Sequence, residues 1–388
     1  MQKVSTAGGF TLLAIASLTI MVGCVIVPGL PLIASNLHVE KASGWLVTLP
    51  ALGVVLFGPL TAKIIQRVGL HRTLCLGLFW YGALGVLGAF LSGYLLLLID
   101  RLLLGGATAL VMTAGTGLIS EFYQGSQRLK MIALQGMSIE LGGVIFLFLG
   151  GVLSGIHWAS PFCLYSFAWF LLAMLILLIP KTNEQKIMKP KMKSKDNGIL
   201  PAIKITWGCA LGSMIVFFTA IIMLPLRLTN FEISPYQTGM FLSFISFVAV
   251  CAAWFMPKIV SLTSEKNTLI VAFLCYTIGH CIFYLTNSLE IMISGAIALG
   301  FGFGLSVPLV NHIIISLSSS SSRGANLAKL SMAIFSGQFM SSLIIYIPGN
   351  QNTGFKCAVF LSLFVVIILI FNKMAFSSTL ELDSDNIH

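Results

Sequence analysis

The chain has 388 residues, 57% hydrophobic and only 9% charged. A soluble domain carries about 25% charged residues, so this composition excludes a soluble enzyme, a disordered tail and a secreted disulfide scaffold. The formal net charge of +10 sits in short loops between apolar runs, with no basic helix and no basic-aromatic interleaving. It excludes nucleic acid as a partner and reads as a topology signal.

A membrane-spanning helix needs about 20 mostly apolar residues, and twelve would use roughly 240 positions. Apolar runs fall at 10–33, 44–65, 73–92, 94–119, 131–154 and 160–180, then at 205–227, 237–257, 268–287, 290–317, 329–348 and 355–374. Each exceeds the about 9–11 residues of a barrel strand, and none alternates strictly, so the spans are helical. The expected fold class is an all-α membrane protein whose 12 transmembrane helices form two six-helix bundles related by a pseudo-twofold. The N-terminal bundle covers 1–180 and the C-terminal bundle 205–376. A basic cytoplasmic linker at 181–204, carrying Lys186, Lys189, Lys191, Lys193 and Lys195, joins them, and a tail at 377–388 follows. The first run is too long for the apolar part of a removable signal and reads as a retained span.

Putting both termini in the cytoplasm places 18 of the 22 Lys and Arg on that side. The outside keeps Lys41, Arg227 and Lys356, and Arg101 lies within a span. This is the asymmetry that membrane insertion produces. Short loops and the lack of any N-x-S/T acceptor fit a bacterial inner (cytoplasmic) membrane. The eight cysteines lie in apolar runs without C-x-x-C or Cys/His ligand spacing, so no metal and no cofactor is expected.

In chain order, the segment after the second span reads Gly58-Pro59-Leu60-Thr61-Ala62-Lys63-Ile64-Ile65-Gln66-Arg67-Val68-Gly69-Leu70-His71-Arg72. The fourth span opens Asp100-Arg101-Leu102-Leu103-Leu104-Gly105. A charge at that depth costs several kcal/mol unless paired or wet. Arg101 therefore reads either as the partner of an anion or as a clamp on neighbouring helices. Asp100 lies about 100° round the helix from it and faces a neighbouring helix or the outer interface. Glu140 is near the middle of the fifth span, with Gly136 and Gly143 on its face. Small neighbours admit a helix or water, and a lone acid there suits proton carriage, binding of a cationic substrate, an interhelical hydrogen bond or a standing pair with Arg101. In the second half, Gly300-Phe301-Gly302-Phe303-Gly304 reads as a bend or close-packing run. Asn311, His312 and Gln338 are polar residues that either line a cavity or bond between helices, and His280 is placed on the outer ring.

Sliding the second half back by 195 positions brings all six spans into register. It matches Gly44 with Gly239, Lys63 with Lys258, Tyr81 with Tyr276, Gly105 with Gly300 and Gly142 with Gly337. Parallel six-helix repeats around a midplane site are an established transporter plan.

The segment from Gly58 to Arg72 resembles the loop signature G-x-x-x-D-R-x-G-R-R of the major facilitator superfamily, with Ala62, Gln66 and Leu70 departing from it. Asp100–Gly105 resembles the family's R-x-x-x-G pattern. The Gly150-Gly151 pair, the Trp158-x-x-Pro161-Phe162 start of span six and Leu224-Pro225 with Ser234–Gly239 look like this family too. Among its branches the 12-helix drug and small-metabolite proton antiporters are most similar, although Phe146-Leu147 stand where these carry Gly-Pro.

The resemblance implies a proton-coupled secondary transporter working by alternating access, and not an enzyme. Proton coupling would fall to Glu140 and Asp100. Substrate binding would fall to Arg101, Glu140, Asn311, His312 and Gln338, and gating to Gly58, Gln66, Arg67, Gly69 and Arg72. Gln66 cannot form the ion pair that the family's acid makes in latching the halves. Export of a drug-like or small amphiphilic metabolite is the first expectation, import of a small organic anion by symport the second, and a transporter-like sensor the third. The expected partners are a small-molecule substrate, protons and the bilayer, with the chain a monomer.

Overall fold

The computed structural model describes residues 4–91, 93–180, 200–319, 322–344, 346–348 and 352–371. The lysines of the predicted linker from Lys181 to Lys195 and the tail after Phe371 lie outside the described residues. Among the described residues all regular structure is helical. The helices are α1 (Thr6–Cys24), α2 (Leu30–Asn36), α3 (Ser43–Val68), α4 (Leu70–Leu87), α5 (Tyr94–Phe122), α6 (Gly125–Ile156), α7 (Phe167–Leu178), α8 (Pro201–Leu228), α9 (Pro235–Leu262), α10 (Glu265–Leu285), α11 (Leu289–Leu317), α12 (Arg323–Ile344) and α13 (Thr353–Phe371). Twelve segments are long and apolar enough to cross a membrane: every helix but α2, with α7 counted together with the 3-10 turn Ser160–Ser166 that leads into it.

The first apolar run is not one helix. α1 stops at Cys24, and Pro28-Gly29 separates it from the short α2, which carries Pro31 in its first turn. Elsewhere local chemistry sets the ends. The Ser5 hydroxyl accepts from Gly8 N–H at the start of α1. Ser234 and Gln237 form a reciprocal capping box at the start of α9, with Pro235 in the first turn. Gly69 alone separates α3 from α4; its φ of 83° is a backbone that only glycine holds without strain.

α1 and α3–α7 pack as one half, and α8–α13 as the other. The 195-residue offset recurs in atomic contacts. A Cβ on Gly105 would strike the Pro50 carbonyl, and one on Gly300 would strike the carbonyl of Ile245, which is 195 positions later. The buried Tyr81 hydroxyl donates to the Leu18 carbonyl at 2.7 Å, while the buried Tyr276 hydroxyl lies 2.7 Å from Ser213 Oγ, again 195 positions on. Each half thus uses glycine to bring its second and fourth spans together, and a tyrosine to tie its third span to its first. The Gly300–Gly304 run serves close packing: Gly300, Gly302 and Gly304 press on Ile245, Tyr276 and Ala249, and α11 runs through it unbroken.

The halves meet where α6 crosses α9 and α3 crosses α12. At the face opposite the described Lys and Arg clusters, Trp45 of α3 stacks edge-on against Tyr346 at 5.6 Å, and Phe148 of α6 against Tyr236 of α9 at 6.3 Å. The Ser243 hydroxyl of α9 donates across the junction to the Val144 carbonyl of α6 at 2.9 Å.

Candidate functional site

One face of α6 runs through Gly136, Glu140, Gly143, Leu147 and Gly151, three or four residues apart and therefore in a single row. Over about 22 Å the spacing to the opposite half narrows steadily. A Cβ on Gly136 would meet nothing within 4 Å. One on Gly143 would lie 3.7 Å from Ser246 Oγ, and one on Gly151 only 2.7 Å from Gly239 Cα. The junction is a wedge, closed at the far face and widening toward the basic face.

Glu140 sits in this wedge, at the sixteenth of 32 positions in α6. It lines a cavity of about 20 Å³ together with Ile20 and Cys24 of α1, and with Phe217, Ser246 and Phe303 of the other half. That volume admits a water and nothing larger. The Phe217 and Phe303 rings stack at 3.9 Å between centroids and form a flat apolar wall. Glu140 is half-buried and has no hydrogen-bond or ion-pair partner among the described residues. The site can therefore hold a proton on one carboxylate inside an otherwise apolar pocket, and it draws on both halves at once.

The structure does not bring Arg101 or Asp100 to this cavity. Both are buried, and despite their different helix angles they pair with each other: Arg101 Nε and Nη2 lie 3.0 and 2.7 Å from Asp100 Oδ2. Nη2 also donates to the Leu84 carbonyl at 3.1 Å, in the last turn of α4. Phe162 and Tyr165 flank the guanidinium at 5.5 and 5.7 Å. A Cβ at Gly88 would collide with this group. Arg101 thus neutralises the negative end of a helix and clamps α4, α5 and the turn before α7. A substrate role for Arg101 and a coupling role for Asp100 meet a physical obstacle, because the ion pair is already committed within one half.

His312 is likewise away from the cavity, 3.5 Å from Glu265 at the basic end of α11 and mostly exposed. Asn311 turns back on its own helix, its Nδ2 donating to Val307 O at 3.0 Å. Gln338 does reach the junction: buried on α12, its amide fills the space that a side chain at Gly23 of α1 would need. The residues Gln66 and Arg67 are exposed beside the turn at Gly69, and a Cβ on Gly58 would meet open space. Arg72, in the first turn of α4, is exposed too.

Sequence reasoning missed Cys24, Ser246, Phe217 and Phe303, which are ordinary residues in an apolar chain; only their register opposite Glu140 gives them away. It also left Arg227, at the outer end of the seventh span, without a role. α8 continues to Leu228, and the buried Arg227 binds the carbonyl of Thr286 at the end of α10, with Asn352 and, at 3.3 Å, Asn287. It is a second arginine capping the end of a third span. His280, on a helix of the outer ring, points inward: it is fully buried, with Nε2 3.0 Å from the Val216 carbonyl.

The family model described as Major Facilitator Superfamily matches residues 10–342. A Bacillus subtilis (strain 168) protein described as "Uncharacterized transporter YycB" is 26% identical over 323 residues, covering 79% of this chain and 77% of that one. Among solved structures, a D-xylose-proton symporter superposes with a TM-score of 0.76 at 15% identity, covering 93% of this chain and 97% of that one. The nucleoside transporter NupG also gives 0.76, at 11% identity, covering 94% and 99%. At such identities these two structures show the fold alone.

Proposed function

From the premise that this chain belongs to the Major Facilitator Superfamily, and so moves a small molecule across a membrane by alternating access, we propose that it is a proton-coupled exporter of a drug-like or small amphiphilic compound, with Glu140 carrying the proton. The observation that carries this reading is a carboxylate that has no partner among the described residues, lodged between the two halves of the fold. A group in that position is exposed to opposite sides of the membrane as the halves rock. The apolar wall of Phe217 and Phe303 supports an amphiphilic cargo, with Ser246 the second polar side chain on the cavity wall.

Symport of an organic anion finds less support, because the guanidinium of Arg101 is spent on Asp100 and the Leu84 carbonyl. In the proposed orientation the basic face is cytoplasmic in a bacterial inner membrane, both termini lie there, and the wedge is inward-facing. The chain works as a monomer, since both faces of the cavity come from one polypeptide.

The test is Glu140→Gln in proteoliposomes carrying a pH-sensitive dye. Gradient-driven efflux should fall at least tenfold, while counterflow of substrate without a gradient persists. Full gradient-driven transport in the variant would place the proton elsewhere.

A further inference from the structure

A second, larger cavity lies away from the junction, on the outer surface of the N-terminal half. It has a volume of about 310 Å³, some fifteen times that of the central one, and is walled by α3, α4 and α5. Phe57, Leu60 and Ile64 supply one side, Trp80 another and Leu103 and Leu110 the floor. Gly106 keeps that floor low, because a Cβ there would touch the Phe57 ring at 3.0 Å. Its one hydroxyl, on Thr61, is turned inward to the Phe57 carbonyl at 3.2 Å, and the lining of the groove is almost wholly apolar. Leu60, Trp80 and Leu103 are 48%, 50% and 43% exposed. In a membrane-spanning chain, such a surface faces hydrocarbon.

The mouth of the groove is charged. Ile64 is one turn from the basic end of α3, and Lys63 and Arg67 follow Leu60 and Ile64 by three positions each, which puts them on adjoining edges of the same helix. Both side chains are exposed, and neither has a hydrogen-bond or ion-pair partner among the described residues. Two unpaired cations therefore stand at headgroup depth above an apolar slot about 10 Å long on α3.

We propose that this groove is a binding site for an anionic phospholipid of the leaflet on the basic face, with one acyl chain in the slot and the phosphate on Lys63 and Arg67. All of its walls belong to one half, joined through Gly69, so the lipid rides with that half whatever the central junction does. The inference does not depend on the proposed cargo or coupling ion.

The experiment reads Trp80, whose emission is taken as the difference between the wild type and Trp80→Phe. The protein is reconstituted into phosphatidylcholine vesicles containing a minor fraction of phosphatidylglycerol brominated in the acyl chain, and into the reverse mixture with the bromine on phosphatidylcholine. Quenching of Trp80 by brominated phosphatidylglycerol should exceed its mole fraction, and quenching by brominated phosphatidylcholine should fall short. Lys63→Gln and Arg67→Gln should each weaken the preference about fivefold, and Leu60→Trp, which fills the slot, should abolish it. Quenching equal to mole fraction for both lipids would mean annular lipid only and would overturn the proposal. So would a preference that survives removal of both charges. If the double charge variant does not fold, the two single variants decide the same question.

Discussion

At the scale of single residues, two arginines in this apolar chain do the same work from different helices. Arg101 of α5 reaches the last turn of α4, and Arg227 of α8 reaches Thr286 just past the end of α10. Each adds side-chain donors at a helix end, where the helix's own N–H groups run out. Breaking a buried pair leaves a charge stranded and costs about 3–5 kcal/mol. Arg101→Ala should therefore lower the melting temperature in detergent sharply, and Arg101→Ala/Asp100→Asn should recover a large part of the loss. A double variant no more stable than the single would show that Asp100 is not what Arg101 holds. The sequence revealed that Arg101 had to be paired or wet, but not with what: a long side chain chooses partners well beyond its own helical angle. Glu140 was legible because a short acid at mid-span cannot reach past its own face.

At the scale of helices, glycine rows decide which pairs approach. The offset of 195 residues was readable because the constraint is geometric: only a residue without Cβ lets α5 rest on α3 at Gly105, or α11 on α9 at Gly300. The division of the first span into α1 and α2 was written in Pro28-Gly29, yet an average of hydropathy runs straight across it, since both pieces are apolar. Between the halves the close contact is Gly151 with Gly239 and the Pro235 carbonyl. Gly151→Leu should hold the far ends of α6 and α9 apart and reduce transport at least tenfold in a protein that still folds. Gly208→Leu, at a position on α8 with open space around it, is the control and should transport normally. Wild-type transport by Gly151→Leu would mean that the crossing does not need to close.

At the scale of the whole molecule, the wedge is a property that no local pattern encodes. Alternating access requires one sequence to support two arrangements of nearly equal stability, so residue preferences cannot say which face is open. In this arrangement the row on α6 passes from open space at Gly136 to close contact at Gly151, with Glu140 between. Gly136 stands at the open end of the row, where a side chain would meet nothing within 4 Å, which makes it the place for a reporter. With all eight native cysteines replaced, a membrane-impermeant thiol reagent should label Gly136→Cys from the basic face and not from the opposite face. Adding Gly151→Leu should reverse that preference, because separating the far ends opens the other route to the same sulfur. Equal labelling from both faces would mean that the far-side packing of Trp45 on Tyr346 and Phe148 on Tyr236 does not seal the molecule in a bilayer. An unchanged preference in Gly151→Leu would instead show that the α3–α12 crossing alone is sufficient to close it.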